Sequence, residues 1–279
     1  MLGDAARRLT DAGVESPRVD AELLLASVLG VTRGRLLTLV TVPDDVSVRF
    51  GTLVDQRADR VPLQHLTGRA PFRFLELAVG PGVFVPRPET EQLTGWALER
   101  LAGSDAPVVV DLGAGSGAIA LSLAHEFPAA RVTAVERDPG AIEWTRHNAT
   151  ARAEAGDPAV EVLDGDMTDP GLLRELDGAV DLVVSNPPYV PDGAGVPREV
   201  ADHDPPLALW GGPDGLAVVR GLLVTAARLL RPGGWLGIEH ADQQGSALPA
   251  VVRAHGAFTE VEDHPDLAGR PRFTTARRR

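Results

Sequence analysis

The segment Ser185-Asn186-Pro187-Pro188-Tyr189 is suited to binding a planar amino nitrogen. The side-chain oxygen of Asn186 and the backbone carbonyl of Pro187 are two hydrogen-bond acceptors on a stiff proline turn. If they capture both N–H hydrogens of an amide, its lone pair is free to attack an electrophile. Tyr189, the only tyrosine in the chain, is expected to pack against the flat face of the amide. The motif predicts alkylation of an amide or a conjugated amine, although Asn-Pro-Pro alone also makes a good structural turn.

A glycine-rich segment, residues 111–117 (DLGAGSG), follows an apolar run and precedes a helical pattern. Glycine lets the backbone approach a ligand closely, and a helix N-terminus offers free N–H donors. Glu136 ends the next predicted strand, where an acid typically accepts hydrogen bonds from ribose hydroxyls. These features predict a nucleoside-containing cofactor. Gly113, Gly115 and Ala118 also satisfy the dinucleotide pattern, so NAD remains an alternative at this point.

The two motifs together fit transfer of a methyl group from a sulfonium cation to a neutral nitrogen. Positive charge moves toward the nitrogen during such a transfer, so oxygen atoms aimed at it stabilise the transition state more than the ground state. The proton left on the alkylated nitrogen is acidic and can leave to solvent. The sequence therefore predicts no dedicated general base.

Strands and helices alternate from residue 88 onward, which positions both motifs. The predicted strands cover residues 108–112, 131–136, 160–163, 180–185, 235–239, 257–262 and 272–276. The predicted helices open near residue 88 and cover residues 118–126, 140–153, 216–230 and, more briefly, 171–176. Residues 190–213 are predicted to be a long functional loop. The alternation is typical of a Rossmann-like α/β fold with a mostly parallel sheet, whose strand ends face one crevice.

The region before residue 88 does not show this alternation of strands and helices. Residues 1–70 are predicted to be a small helical domain, with a third helix marked by Leu36, Leu37 and Val40. Residues 71–87 are predicted to be a linker containing a β-hairpin, with its turn at Gly80-Pro81-Gly82. The remaining residues, 88–279, form the predicted catalytic domain.

Composition narrows the possible chemistry. The chain has no cysteine and no lysine, which excludes thiolate metal sites, cysteine nucleophiles and Schiff-base lysines. The net charge of -12 favours a protein or small-molecule substrate over nucleic acid. No apolar run is long enough to cross a membrane, and the N-terminal segment is typical of neither a signal nor a transit peptide. We therefore expect a cytoplasmic enzyme that is not bound to membranes.

Four segments resemble the HemK/PrmC family, the N5-glutamine methyltransferases of class I peptide-chain release factors. They cover residues 62–68 (PLQHLTG), 82–91 (GVFVPRPETE), 111–121 and 184–191. The order, the spacing and the small helical domain also agree with the family. The resemblance implies a class I methyltransferase fold with a seven-stranded, mostly parallel sheet, and a helical domain that docks the substrate.

The resemblance also implies the roles of individual residues. S-adenosyl-L-methionine would be the cofactor, with S-adenosyl-L-homocysteine as product, bound by Gly113, Ala114, Gly115, Ser116, Gly117 and Glu136. Asp166 and Met167 would border the adenine, and Asn186 would touch the transferred methyl. The residues that receive the glutamine of a Gly-Gly-Gln tip would be Asn186, Pro187, Pro188 and Tyr189, and of these Asn186, Pro187 and Tyr189 would carry the catalysis. Class I release factors would be the partners, bound by a monomeric enzyme.

Other functions stay open on sequence grounds. A nucleic-acid methyltransferase acting on an exocyclic base amine could use the same Asn-Pro-Pro-Tyr chemistry, but should carry a basic domain. An NAD-dependent oxidoreductase or a catalytically inactive binding module would leave that motif idle. His203 and His240 have acidic neighbours, but not the spacing of a recognised metal motif, so no metal is predicted.

Overall fold

The computed structural model describes residues 1–36 and 44–279. These residues form two compact units. The first unit contains residues 1–69, 79–81 and 195–204, and the second contains residues 70–78, 82–194 and 205–279.

The first unit is helical. Its helices are α1 (Leu2–Asp11), α2 (Pro17–Leu29), α3 (Arg33–Leu36), α4 (Asp44–Ala58), α5 (Leu63–Thr67) and α9 (Arg198–His203). Leu9, Leu24 and Phe50 are buried together in its core. The predicted third helix is seen only as α3, because Leu37 and Val40 lie outside the described residues.

The described strands lie in the second unit, except that Arg69, the first residue of the first strand, belongs to the first unit. They are β1 (Arg69–Phe72), β2 (Leu75–Ala78), β3 (Val108–Leu112), β4 (Arg131–Glu136), β5 (Glu161–Asp164), β6 (Val180–Ser185), β7 (Leu230–Glu239), β8 (Phe258–Pro265) and β9 (Pro271–Arg278). Its helices are α6 (Thr90–Leu101), α7 (Ala118–Glu126), α8 (Pro139–Glu154), α10 (Pro206–Leu209), α11 (Ala217–Leu229) and α12 (Ala247–His255).

Within the described residues, β3 to β9 form one seven-stranded sheet in the order β5-β4-β3-β6-β7-β9-β8. The first five strands along this order are parallel, and β9 runs antiparallel to both β7 and β8. The predicted Rossmann-like α/β fold is therefore confirmed. The strand order reverses between β3 and β6, and such a switch point leaves a crevice at the carboxyl ends of the two strands.

Apolar side chains cover both faces of this sheet. On one face, Leu93 of α6 and Leu123 of α7 pack against the strands. On the other face, Leu222 of α11 and Val252 of α12 do so. The central strands β3 and β6 are mostly apolar and buried, as is typical of parallel strands that are covered on both faces. The crevice edge is thus fixed by a rigid core.

A β-hairpin is present, but the predicted position of its turn was wrong. The two strands that pair are β1 and β2, and they are joined at Arg73-Phe74 rather than at Gly80-Pro81-Gly82. Arg73 adopts a left-handed φ of 51° there. It is held by Glu91, whose carboxylate accepts from the Arg73 backbone N–H at 2.9 Å. Val83 and Val85 are buried but belong to no strand, so their hydrophobicity was misread as a strand signal.

The predicted loop at 190–213 contains two short helices, α9 and α10. Its middle part, residues 195–204, belongs to the helical unit. There Glu199 of α9 accepts from the buried guanidinium of Arg57 at 2.8 Å, and Arg57 also donates to Asp20 at 2.8 Å. A polar, proline-rich sequence gave no sign of this attachment, because it depends on acids that pair with an arginine distant in the chain.

Candidate active site

The carboxyl ends of the parallel strands bring the predicted site residues to one edge of the sheet. Leu112 of β3 pairs with Val135 of β4, and Ser185 of β6 pairs with Ile238 of β7. The residues that follow these positions therefore emerge side by side. They belong to the glycine loop, the Asn-Pro-Pro-Tyr segment and the end of β7.

Gly113 lies at the meeting point of the glycine loop with two other predicted site residues. Its φ is +84°, and a Cβ added there would lie 2.6 Å from Cε of Met167 and 3.9 Å from the backbone oxygen of Asn186. Only glycine fits such a close approach without strain. The structure thus brings Gly113, Met167 and Asn186 together.

Glu136 ends β4 and is tied to the glycine loop. Its Oε2 accepts from the Gly115 backbone N–H at 2.9 Å, and its Oε1 accepts from the N–H groups of Arg137 and Asp138 at 2.8 and 2.9 Å. These bonds fix the orientation of the carboxylate. Oε1 already accepts two hydrogen bonds and Oε2 only one, so Oε2 keeps a site for a ribose hydroxyl, and that binding stays a prediction.

Asp166 and Met167 follow β5. Oδ1 of Asp166 accepts from the backbone and side chain of Thr168, and its Oδ2 pairs with Arg137 at 2.9 Å. Burial raises the pKa of Asp166, but the bonds from Thr168 and Arg137 outweigh it, so the pKa is lowered overall. Asp166 is therefore an anchored anion, and Met167 is the buried apolar surface beside Gly113.

Asn186 follows β6 and reaches the first residue of α6. Its Nδ2 donates to Oγ1 of Thr90, which is buried, at 3.2 Å. Thr90 belongs to the 82–91 segment, so two segments far apart in the chain meet at this side chain. The contact places Asn186 against a fixed part of the sheet edge.

The rest of the motif is packed closely. Pro187 and Pro188 are buried. The Tyr189 carbonyl accepts from Nε2 of Gln244 at 3.0 Å, whereas within the described chain no donor binds the carbonyl of Pro187. The Pro187 oxygen is thus not engaged by the described protein, and its binding of a substrate N–H stays a prediction.

The phenol of Tyr189 lies among charged groups. Burial raises its pKa above the ordinary value of 10.0, Glu239 and Glu89 raise it further, and Arg272 and Arg87 lower it. The hydroxyl therefore stays protonated at any working pH and can serve only as a neutral group. Packing of Tyr189 against a substrate amide stays a prediction.

The sequence analysis missed two glycines that lie against the backbone of the Asn-Pro-Pro-Tyr segment. A Cβ on Gly211 would lie 2.6 Å from the Pro188 oxygen, and one on Gly215 would lie 2.2 Å from the Tyr189 oxygen. The Gly211 N–H also donates to the Val190 oxygen at 2.9 Å. A Gly-Gly-x-x-Gly pattern after a long loop was the only signal available for this role.

Two side chains of α8 were missed as well. Thr145 donates to the Gly115 oxygen at 2.6 Å, and Asn148 donates to the Ser116 oxygen at 2.9 Å. The second half of the glycine loop is therefore bonded to a helix. No motif marks these residues, because each looks like an ordinary helical position.

The two histidines with acidic neighbours belong to different units. His203 lies in the helical unit, 3.5 Å from the Asp59 oxygen. His240 is buried in the second unit, between the Ala241 oxygen and Asp263, both at 2.8 Å. Across residues 1–36 and 44–279, no three histidine or acidic side chains form a group that could hold a metal ion.

Two family models and several known proteins are similar to this chain. Residues 1–68 match the family described as "PrmC N-terminal domain", and residues 75–202 match "Methyltransferase small domain". A release factor glutamine methyltransferase of Mycolicibacterium smegmatis is 53% identical over 98% of this chain and 95% of its own length. One of Streptomyces coelicolor is 51% identical over 99% and 96%.

The chain belongs to the release factor glutamine methyltransferase family. The resemblance found in the sequence is therefore confirmed. A Mycobacterium tuberculosis member of the family is 46% identical over 98% of this chain and 89% of its own length.

Solved structures agree on the fold of this family member. The 16S rRNA N2 G1207 methyltransferase of T. thermophilus, solved with AdoMet and guanosine, has a TM-score of 0.52 at 23% identity, covering 76% of this chain and 50% of its own. The hMettl16 catalytic domain, solved with an RNA hairpin, has a TM-score of 0.53 at 17% identity, covering 84% and 81%. At these identities the likeness shows the class I methyltransferase fold alone.

S-adenosylmethionine is the cofactor of this methyltransferase, and the site has features that fit it. The left-handed backbone at Gly113, with Met167 close beside it, suits only glycine at the start of the loop. Asp111, just before the loop, is fully buried, and its Oδ1 has no hydrogen-bond partner within the described ranges. A buried acceptor without a partner at this place suits a ligand that carries donors.

Replacing Asp111 with asparagine should stabilise this protein above neutral pH when no ligand is bound. Burial raises the pKa of Asp111 to about 7, the Ala120 N–H lowers it, and the charge of Glu136 raises it. Between the ordinary carboxyl pKa and about 7, the folded protein keeps a proton that the unfolded chain releases, so the free energy of unfolding falls as pH rises. Asparagine avoids this loss, which is on the order of 3 kcal/mol at about pH 8.

Thermal unfolding of wild type and Asp111→Asn at about pH 5 and about pH 8 measures this effect. The same change at Asp105, an exposed acid, is the control and should leave both temperatures unchanged. If Asp111→Asn is less stable than wild type at the higher pH, burial of a charged Asp111 is not costly.

Proposed function

We propose that this protein transfers a methyl group from S-adenosylmethionine to the side-chain amide nitrogen, N5, of the glutamine in the Gly-Gly-Gln motif of class I release factors. The observation that supports this most directly is that Asn186 lies beside Gly113, so the acceptor motif adjoins the cofactor loop. The relatives that match nearly the whole chain are release factor glutamine methyltransferases. The geometry supports transfer to a planar nitrogen, and the relatives favour the glutamine of a release factor as the source of that nitrogen.

The chain's own residues would prepare the glutamine amide. The Asn186 side-chain oxygen and the Pro187 carbonyl accept its two N–H hydrogens, which turns the nitrogen lone pair out of conjugation. Tyr189 packs against the amide plane. Because both acceptors are held by a buried proline turn, they need no reorganisation when charge develops on the nitrogen.

The cofactor would be held by the glycine loop, Glu136, Met167 and the residues beside them. When bound, it supplies an electrophilic methyl group on a sulfonium. Glu136 is oriented by the N–H of Gly115 to meet ribose hydroxyls, and Met167 offers an apolar surface to adenine. Asp166, anchored by Arg137, fixes the backbone that carries Met167.

The finer features of the partner are also part of the proposal. The net charge of -12 disfavours a phosphate backbone as ligand, so we expect the enzyme to bind the release factor itself and no nucleic acid. We expect it to act as a monomer in the cytoplasm, where release factors work. Among the described residues no helix could span a membrane.

Tritiated cofactor tests the proposed substrate. The purified enzyme should label an intact class I release factor and leave RNA from the same cells unlabelled. Heat-denatured release factor serves as the control for recognition of a folded partner. Incorporation into RNA and not into the release factor would instead establish the exocyclic-amine alternative. Titration calorimetry should detect S-adenosylhomocysteine binding and no NAD binding.

A further inference from the structure

Glu239 is a buried carboxylate at the active-site edge that the proposed chemistry does not use. It ends β7, where its neighbour Ile238 pairs with Ser185, the residue just before Asn186. Only 1% of its surface is exposed, and its Oε2 has no hydrogen-bond partner within the described residues. A buried carboxylate is costly unless it is bonded or does work, so its position needs a reason.

The hydrogen bonds around Glu239 lead to Asn186. Nδ2 of Asn186 donates to Oγ1 of Thr90 at 3.2 Å. Hydrogen bonding from Thr90 and Asn186 lowers the pKa of the Glu239 carboxyl, so both side chains lie within reach of it. Because the Thr90 oxygen accepts from Asn186, its single proton is available to Glu239. Thr90 can therefore connect the Asn186 nitrogen to the carboxylate.

This arrangement decides which way the Asn186 amide faces. The oxygen and nitrogen of an asparagine side chain are nearly equal in size, so hydrogen-bond partners alone choose between the two orientations. An ionised carboxylate accepts only, and it holds the nitrogen on the side of Thr90. The Asn186 oxygen is then turned away from Thr90, where it can accept from a substrate N–H.

We propose that Glu239, acting directly and through Thr90, is a positioning residue that fixes Asn186 with its side-chain oxygen presented to the substrate amide. The inference deepens the proposed function and rests on it. It also gives the 82–91 segment a role in the transfer, since Thr90 begins α6 within that segment.

The protonation of Glu239 should control this orientation. Burial raises the pKa of Glu239 to about 7, and the charge of Glu89 also raises it. Hydrogen bonding from Thr90 and Asn186 and the charge of Arg272 on β9 lower the pKa. The phenol of Tyr189 also faces it but stays neutral. Once protonated, Glu239 becomes a donor and no longer selects the Asn186 nitrogen. The transfer rate should therefore fall as pH drops through about 7.

Glu239→Gln tests the inference because it keeps the shape and removes the ionisable acceptor. At saturating cofactor and release factor, its kcat should fall about 30-fold and lose the inflection near neutral pH, while the Kd for S-adenosylhomocysteine changes by less than about threefold. Glu262→Gln removes an exposed carboxylate from β8 and should match wild type throughout. A Glu239→Gln enzyme with the wild-type pH profile and kcat would overturn the inference.

Thr90 provides a second pair of variants that does not depend on how Glu239→Gln folds. Thr90→Ser keeps the hydroxyl and should retain most of the rate, whereas Thr90→Val removes the hydroxyl at equal size and should behave like Glu239→Gln. Equal rates for the two Thr90 variants would contradict the relay.

A nitrogen-15 NMR measurement separates this inference from the proposed function. The side-chain amide signal of Asn186, assigned with Asn186→Asp, should titrate near neutral pH in wild type and stay constant in Glu239→Gln. This readout needs no substrate. If the wild-type enzyme labels no release factor, the proposed function fails, but the NMR titration still decides the positioning role of Glu239. An Asn186 amide signal that does not change with pH would refute that role.

Discussion

Asn186→Ala should bind S-adenosylhomocysteine within about threefold of wild type and lose about 100- to 1000-fold in kcat, the loss expected for removing one preorganised polar group at a reacting centre. The alanine removes the proposed acceptor of one substrate N–H. The glycine loop, Glu136 and Met167 are not changed, so the cofactor site should persist. The loss should therefore appear in turnover rather than in cofactor affinity.

Asn186→Asp is the matched companion variant. It keeps an oxygen acceptor and nearly the same shape, but it places a second carboxylate against Thr90 and Glu239. We expect it to be as inactive as the alanine variant, because the donor that orients the group is gone. Single-turnover kinetics and calorimetry measure both quantities. Turnover within about tenfold of wild type in Asn186→Ala would show that the side chain is not part of the transfer.

Gly215→Ala should cause the other large loss, because it moves the substrate motif without touching its side chains. The added Cβ would lie 2.2 Å from the Tyr189 oxygen and 2.7 Å from Nε2 of Gln244, and the φ of +73° is unfavourable for alanine. Either the 211–215 turn or Tyr189 must shift. A displacement of about 1 Å at a positioning group costs about 100-fold in rate, and the strain should lower the free energy of unfolding by about 3 kcal/mol.

Gly193→Ala is the control for this variant. Gly193 has nearly the same left-handed φ, +76°, but nothing lies within 4 Å of its added Cβ. It should lose only about 1 kcal/mol of stability and keep its activity. Chemical denaturation and kcat for the two variants separate backbone strain from displacement of the motif. Equal behaviour of the pair would mean that the 211–215 turn does not support the Asn-Pro-Pro-Tyr segment.

The fold could be predicted because its signals are local. The strands over 108–112, 131–136 and 180–185 and the helix over 118–126 have the predicted bounds, since each is an apolar run ended by glycine, proline or a polar residue. Parallel strands then place the glycine loop and Asn186 at one edge without further information. Two motifs in one crevice therefore followed from the order of the elements.

What the sequence could not predict depends on contacts between distant residues. The bond from Asn186 to Thr90 spans 96 positions, and no local pattern marks it. The burial of Glu239 gives an ordinary strand-end acid an unusual environment. The prediction of the hairpin turn was wrong for a related reason. The left-handed backbone of Arg73 is stabilised by Glu91 on α6 and not by residues typical of a turn. Helix α12 was also not predicted.

The central claim is that the acceptor is the side-chain amide nitrogen of one glutamine. Tandem mass spectrometry of a release factor methylated by the purified enzyme tests it most directly. We expect the mass of one methyl group on the side chain of the Gly-Gly-Gln glutamine, and no transfer to a release factor in which that glutamine is replaced by glutamate. A methyl group on any other residue, or transfer that persists in the glutamate variant, would contradict the account.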